Sequence, residues 1–196
     1  MTFTFLPRDN RGASAVEFAL VLPLLLILLF GIIDGGRYMW NINRAEKAAQ
    51  MGVRMAVVTD FISSSIDEDY VGQCSTPLQA GDPIPAGCFS QVTCSRAGST
   101  VTCTSGTADS TAFNRVLSRM QAFMPEIQPS NLEIIYSPSG LGYAGDPTGP
   151  DVAPIVTVRL FGLAFQPAMT LTLANVGLPE VRTSLTLEDG AGAQSN

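Results

Sequence analysis

The sequence contains no histidine among its 196 residues. This excludes catalytic triads built on histidine, histidine-ligated metals and imidazole pH switches. Charged residues are scarce as well, at 14%, and the eleven Lys and Arg are outnumbered by seventeen Asp and Glu, for a net charge of −6. Because binding to phosphates needs a basic face, this composition argues against a nucleic-acid partner.

Motifs for common enzyme chemistry are missing too. There is no G-x-S-x-G nucleophile elbow, and the glycine-rich tract at residues 137–150 is not followed by the Gly-Lys-Ser/Thr of a P-loop, so we expect an exposed loop there. Asp67 and Asp69 could bind calcium, but they lack the EF-hand spacing and are more typical of a solvated loop. We therefore expect neither an enzyme nor a bound cofactor.

The sequence does contain a long apolar run near its start. No residue from Phe18 to Ile33 is charged. Counted from Ala13, the run is long enough for about 31 Å of helix, which matches a bilayer core, whereas the count from Phe18 gives only about 24 Å. A full span therefore includes Glu17. A carboxylate at that depth carries a free-energy cost, although it could also be an interfacial acid that the membrane tolerates. No small-x-small site suits a cleaved secretory signal, so we expect an anchor that stays.

Four cysteines follow the run, at positions 74, 88, 94 and 103. None forms a C-x-x-C pair, so two disulfides in an oxidising compartment fit better than a zinc site. Two Val-Thr-Cys triplets flank Gly98 and Ser99, which predicts a hairpin with Cys94 opposite Cys103 and leaves Cys74 for Cys88. Since four cysteines allow three connectivities, this pairing is a preference.

The cysteines also bear on the orientation in the membrane. Arg8 and Arg11 precede the run, and more cations follow it, namely Arg37, Arg44, Lys47 and Arg54. The positive-inside rule would then place the C-terminal part in the cytoplasm. The cysteines indicate the opposite, and a large downstream domain can cross largely regardless of flanking charge. We therefore expect one span, with the N-terminus in the cytoplasm and the cysteine-containing domain on the oxidising side of the membrane.

The N-terminal pattern resembles a known family. A leader that ends in Gly12, an acid five residues later, Phe18 and then a long apolar helix follow the layout of type IV prepilins and pseudopilins. The stretch RGASAVEFALVLPLLLILLFGIIDGGRYMW closely resembles the TadE-like family, which are minor pseudopilins of the tight-adherence (Flp, type IVb) pilus system. The resemblance is strong from Arg11 to about Val58 and a matter of pattern beyond.

The resemblance implies a function in pilus assembly. A prepilin peptidase would cut between Gly12 and Ala13, and Glu17, followed by Phe18, would become the fifth mature residue. The acid would then meet the N-terminal amine of a neighbouring subunit. The implied partners are the peptidase, a second pseudopilin, the major pilin and the assembly platform of the inner membrane. The implied location is the bacterial inner membrane, with one span, a cytoplasmic N-terminus and a periplasmic C-terminal domain. The alternative is an uncleaved, signal-anchored periplasmic domain that displays a binding or adhesive surface.

The remaining pattern predicts a small α+β domain. One helix should run from Ala13 to about Val58, with a possible bend at Gly35 and Gly36. Its small residues either pack against sister helices in a pilin-like stalk or cover the domain of the same chain; they are Ala45, Ala48, Ala49, Gly52 and Ala56. A second helix, capped by Asp109 or Ser110, should reach Met124.

Three strands are predicted to form an antiparallel sheet, at Leu132–Ser137, Ile155–Leu160 and Val181–Glu188. The apolar segment before the last strand is either a membrane or partner contact, or a fourth strand, MTLTLA. The expected domains are a leader at 1–12, a transmembrane helix at 13–33, a helical stalk at 34–60, a periplasmic α+β domain at 61–188 and a disordered tail at 189–196.

Overall fold

The computed structural model describes residues 12–146, 150–167 and 175–187. The chain divides into two compact units, which are treated separately. The first unit comprises Met1–Trp40 and Phe165–Val176, and the second comprises Asn41–Ala164 and Gly177–Asn196. The predicted MTLTLA strand and the predicted tail lie outside the described residues, and so does the predicted leader except for Gly12.

A single helix, α1, spans Ala13–Ala56 and contributes residues to both units. It continues through Pro23 and through the two glycines at 35 and 36, so the bend considered there does not interrupt the helix. Leucine and alanine dominate its sequence, and both are strong helix formers. The helix ends two residues before the predicted Val58. The backbone N–H of Val58 donates a hydrogen bond to the carbonyl of Met55, three residues back, as in a 3-10 turn.

The second unit contains a five-stranded antiparallel sheet with the strand order β2-β1-β3-β4-β7. The strands are β1 (Val92–Ala97), β2 (Thr100–Cys103), β3 (Leu132–Ser137), β4 (Ile155–Leu160) and β7 (Val181–Thr186). Two short strands, β5 (Ala164–Phe165) and β6 (Val176–Gly177), form a separate two-stranded sheet. The predicted bounds of β3 and β4 are confirmed, and β7 is found at the predicted position.

The hairpin of β1 and β2 has the predicted register. Ala97 lies opposite Thr100, so Gly98 and Ser99 form the two-residue turn, and Gly98 has the positive φ of 63° that such turns require. Cys94 lies opposite Cys103, with 4.1 Å between their Cα atoms, and the two form a disulfide.

Helix α2 spans Ser110–Gln121 and is capped by Asp109, whose carboxylate accepts hydrogen bonds from the backbone N–H groups of Thr111 and Ala112. It ends three residues before the predicted Met124. Pro125 follows Met124, and a residue before proline is disfavoured in the α conformation. The apolar face is buried as predicted, although Phe123 keeps partial exposure.

The core of the second unit lies on one face of the sheet. Alternate residues of β3 and β4 are buried there, and so is the small-residue face of α1, where Ala45, Ala48 and Ala49 are 0% exposed. An ideal Cβ on Gly52 would lie 2.6 Å from the Sδ atom of buried Met120. The small residues therefore cover the chain's own domain, and the interpretation that they pack against sister helices is wrong.

The glycine-rich tract that was predicted to be an exposed loop is partly buried. Ala144 is 1% exposed, and bridges join Gly142 to Val152 and Pro83 to Tyr143. Buried Asp151 accepts backbone hydrogen bonds across this region. In other respects the predicted α+β architecture is confirmed: a long apolar N-terminal helix, a second helix, an antiparallel sheet and two disulfides.

Candidate functional site

The predicted cleavage position lies at the start of α1. Ala13 is the first residue of the helix, and Gly12 immediately precedes it. Gly12 is exposed, and a Cβ built on it would meet no atom within 4 Å. The peptide bond predicted to be cut therefore joins a residue outside the helix to the first residue inside it.

The apolar part of α1 is exposed from the outset. Phe18 is 65% exposed, and large aliphatic side chains remain exposed as far as Ile33. Within the described residues, α1 is the one helix that is long and apolar enough to cross a membrane, judged by length and composition, and its most apolar window has a mean hydropathy of 2.8 with no buried residue. A soluble monomer rarely exposes such a continuous apolar surface, so this part of α1 requires lipid or another protein.

Glu17 lies on this exposed apolar helix. It is itself exposed and makes no hydrogen bond or ion pair in the part of the chain that the structure describes. A carboxylate in an apolar setting has a high free energy unless a cation or hydrogen-bond donor reaches it. Such a donor can come from solvent or lipid headgroups, and in an assembly it can come from another protein.

A polar cluster in the first unit lies on the part of α1 that follows the apolar run. Asp34 is only 5% exposed and accepts a hydrogen bond from Arg37, at 3.1 Å, from the next helical turn. The Arg37 guanidinium lies 5.4 Å from the centre of the Phe165 ring, and the Tyr38 ring meets the same ring edge to face at 5.7 Å. Phe165 therefore brings the β5 end of the apolar segment against α1.

Sequence reasoning treated Asp34 only as a marker of the span's outer boundary and did not predict this cluster. The spacing of Asp34 and Arg37 was an available signal, because residues three apart are neighbours on a helix. Phe165 lies more than a hundred residues further along the chain, and no local pattern connects it to either. The apolar segment before β7 was interpreted as a membrane or partner contact, or as a fourth strand. Near its start, Phe165 contacts α1 of the same chain.

The cysteines form two disulfides within the second unit. Cys74 is joined to Cys88, with 5.2 Å between the Cα atoms, and Cys94 is joined to Cys103. No free cysteine remains, so the four cysteines do not form the zinc site that was the less favoured alternative. Both pairs agree with the preferred connectivity, in which the hairpin joins Cys94 to Cys103 and leaves Cys74 for Cys88. Disulfides of this kind persist in oxidising compartments.

A comparison with known protein families finds a match for the segment that contains the predicted cleavage position, Glu17 and the apolar part of α1. Residues 12–54 match the family model of TadE-like proteins. The resemblance is thereby confirmed over this segment, which contains Gly12, Ala13, Glu17 and Phe18 and ends inside α1. No curated protein and no solved structure is significantly similar to the chain.

The TadE-like match and the apolar helix together support a membrane-anchored protein associated with a tight-adherence pilus system. Within residues 12–146, 150–167 and 175–187, no group of three or more His, Cys, Asp or Glu residues is placed to hold a metal ion. The TadE-like segment contains the exposed Gly12 and an exposed acid, Glu17, which has no partner among the described residues.

Proposed function

We propose that the protein is a membrane-anchored minor pseudopilin that supports assembly of a tight-adherence pilus. A prepilin peptidase cuts it after Gly12, and the mature chain begins at Ala13 with Glu17 as its fifth residue. Residues 13–33 cross the inner membrane, residues 34–60 comprise the rest of α1 and the turn after it, and the disulfide-containing domain lies in the periplasm. The assembly partners are a second pseudopilin, the major pilin and the assembly platform.

One observation carries the proposal: Glu17 has no partner among the described residues and lies on the exposed apolar helix whose first residue is Ala13. Cleavage after Gly12 leaves an ammonium group on Ala13. That group, on a neighbouring subunit, supplies the charge that Glu17 lacks. An ammonium and a carboxylate attract strongly where the dielectric constant is low, provided that both are paired. The pair favours docking in one axial register, because a shift along the helix separates the two charges.

The disulfides support the periplasmic placement. The enzymes that form disulfides act in the periplasm, whereas the cytoplasm keeps thiols reduced. A domain that carries Cys74–Cys88 and Cys94–Cys103 is therefore best accounted for on the outer side of the inner membrane. With the domain in the periplasm, the proposal has Gly12 at the cytoplasmic side of the span, where the prepilin peptidase acts in the family that the chain resembles.

The test is Glu17→Ala in the native host, with Glu46→Ala as the matched control. Glu46 is an exposed acid on the same helix and has no partner among the described residues. Glu17→Ala makes the span more apolar, so membrane anchoring is retained and a loss of pili cannot be attributed to a lost anchor. We expect pilus assembly to fall at least tenfold for Glu17→Ala and to be unchanged for Glu46→Ala. Equal assembly in both variants would refute the role of Glu17.

A further inference from the structure

An open groove of about 760 Å³ lies between α2 and the last turns of α1, entirely within the second unit. Its apolar lining comes from Met51, Met55 and Val58 of α1 and its immediate end, which are half-buried, and from Ala122 next to α2. Methionine side chains are flexible and polarizable, and they adapt to apolar partners of different shapes. We call this the α1/α2 groove.

Arginines stand on both sides of the α1/α2 groove. Arg54 comes from α1, Arg115 and Arg119 come from α2, and all three are exposed. Arg115 is paired with Asp60 at 2.6 Å. Arg119 lies over the Phe123 ring without a carboxylate partner. Arg54 makes no hydrogen bond or ion pair in the part of the chain that the structure describes.

The unpaired positive charge of the described chain collects at this face. The described cations without a carboxylate partner are Lys47, Arg54, Arg96 and Arg119. Two of them line the groove, Arg96 donates to Asn114 in its lining at 2.9 Å, and Lys47 precedes Arg54 by two turns of α1. The chain as a whole is acidic, with a net charge of −6. The face around the groove therefore has an excess of positive charge, whereas the chain as a whole is negatively charged.

We propose that the α1/α2 groove is a docking site for an acidic amphipathic helix of a partner protein. Apolar side chains on one face of that helix contact Met51 and Met55, and acids on its flanks pair with Arg54 and Arg119 on opposite sides. An amphipathic helix laid in a groove is a common recognition mode, and complementary charge fixes its register and excludes other partners.

The described residues of a second copy of the chain do not provide a fitting occupant. Its exposed acidic run, Asp67–Asp69, is flanked by Ile66 and Tyr70, which are buried in their own fold and cannot contact the groove. Helix α2 contains no acidic residue, and the part of α1 after Trp40 contains only Glu46. Neither described helix combines an apolar face with acidic flanks, and the proposal therefore assigns the groove to a different protein.

The proposal goes beyond the proposed function and does not depend on it. The groove belongs to the disulfide-containing unit, whereas cleavage at Gly12 and the pairing of Glu17 concern the start of α1. A result that refutes the docking site would therefore not refute the proposed role in pilus assembly, and the reverse is also true.

The test is site-specific photo-crosslinking of the full chain in its native membrane, with p-benzoylphenylalanine as the probe. One variant carries the probe at Ser118, which lines the groove, and the control carries it at exposed Thr186 on β7. We expect an adduct from Ser118 and none from Thr186. Mass spectrometry of the crosslinked peptide should show a different protein whose segment has apolar residues at helical spacing and acids on both flanks.

Charge reversal then decides whether the arginines recognise the partner. Arg54→Glu with Arg119→Glu should reduce the Ser118 adduct at least tenfold, whereas Arg182→Glu, on the sheet, should leave it unchanged. A non-reducing peptide map that retains both disulfides confirms folding. Replacing two acids of the captured segment by lysine should restore the adduct in the double variant. No adduct, an adduct with a second copy or with lipid, or an unchanged adduct in the double variant would overturn the proposal.

Discussion

Arg44 and Glu126 are 82 positions apart in the sequence and form a two-pronged ion pair, with N–O distances of 3.0 and 3.2 Å. The Arg44 Nε atom also donates to the backbone carbonyl of Phe123, at 3.2 Å. One side chain thus fastens α1 to the chain just after α2. Burial raises the pKa of Glu126, but its own backbone N–H and the hydrogen bond from Arg44 outweigh this, so that the pKa lies below its ordinary value.

Replacing Arg44 by alanine should lower the free energy of unfolding by about 1 kcal/mol, because the pair is partly exposed and the bond to Phe123 is also lost. Lys47→Ala is the control: Lys47 is an exposed cation on the same helix without a carboxylate partner in the described chain, and its loss should change stability by less than about 0.5 kcal/mol. Urea unfolding of the detergent-solubilised full chain, followed by near-ultraviolet circular dichroism, measures both. Equal effects would show that the ion pair does not stabilise the domain.

Asp151 should make stability depend on pH. Burial raises its pKa, but backbone hydrogen bonds from Tyr70, Gly145 and Asp146, at 2.7 to 2.9 Å, outweigh burial and lower the pKa overall. A carboxyl group with a lowered pKa stabilises the fold above its unfolded pKa of about 3.9, and the contribution is lost as pH falls toward the folded value.

Asp151→Asn should therefore cost about 1–3 kcal/mol at pH 7, because the amide places an N–H₂ group against backbone donors. The difference from the unsubstituted chain should shrink below about pH 4, where Asp151 of the unfolded chain becomes protonated while the folded chain still keeps it ionised. Parallel unfolding curves at pH 7 and pH 3.5 test this. A difference that stays constant across that range would contradict the account of Asp151.

Gly142 should not tolerate a side chain. Its φ is +133°, and a Cβ there would lie 2.0 Å from the backbone oxygen of Asp151. Because the contact is with backbone, Gly142→Ala should destabilise the domain by about 2–4 kcal/mol. Gly87→Ala is the control, since a Cβ at Gly87 meets nothing within 4 Å and its φ is not positive. Thermal unfolding of the two variants gives the comparison, and similar melting temperatures would refute the prediction.

Each disulfide should stabilise the domain mainly by restricting the unfolded chain. The two bridges close loops with sequence separations of 14 and 9 residues. Removal of Cys74–Cys88, with both residues changed to alanine, should cost about 3 kcal/mol, and removal of Cys94–Cys103 should cost slightly less. Chemical unfolding of the two double variants measures this. A variant as stable as the unsubstituted chain would show that its bridge does not contribute.

The sequence predicted the elements whose signals are local. A mostly apolar run marked β3 and an alternating one marked β4, both to the residue. The repeated Val-Thr-Cys triplet around Gly98 and Ser99 predicted the hairpin register and the Cys94–Cys103 disulfide, and the other pair followed by elimination. The end of α2 was predicted too late, because the apolar periodicity continues through Met124 while Pro125 disfavours helix at the residue before it.

Features that depend on distant contacts were not predictable. Asp151 is held by Tyr70, 81 positions away, and no pattern near Asp151 distinguishes it from a loop acid. The small-residue face of α1 fits either sister helices or the chain's own core, and only the packing of Gly52 against Met120 decides between them. At the site, the pattern around Gly12 and Glu17 was sufficient to indicate the TadE-like family, because the features of that family are contiguous in the sequence. The roles of these residues stay predictions.

The most direct test of the proposed function is the intact mass of the polypeptide purified from its native membrane, with and without an active prepilin peptidase. We predict a chain that begins at Ala13 when the peptidase is active and one that retains the residues through Gly12 when it is not. A mature chain that still carries those first twelve residues when the peptidase is active would leave no new amine to meet Glu17, and would contradict the account.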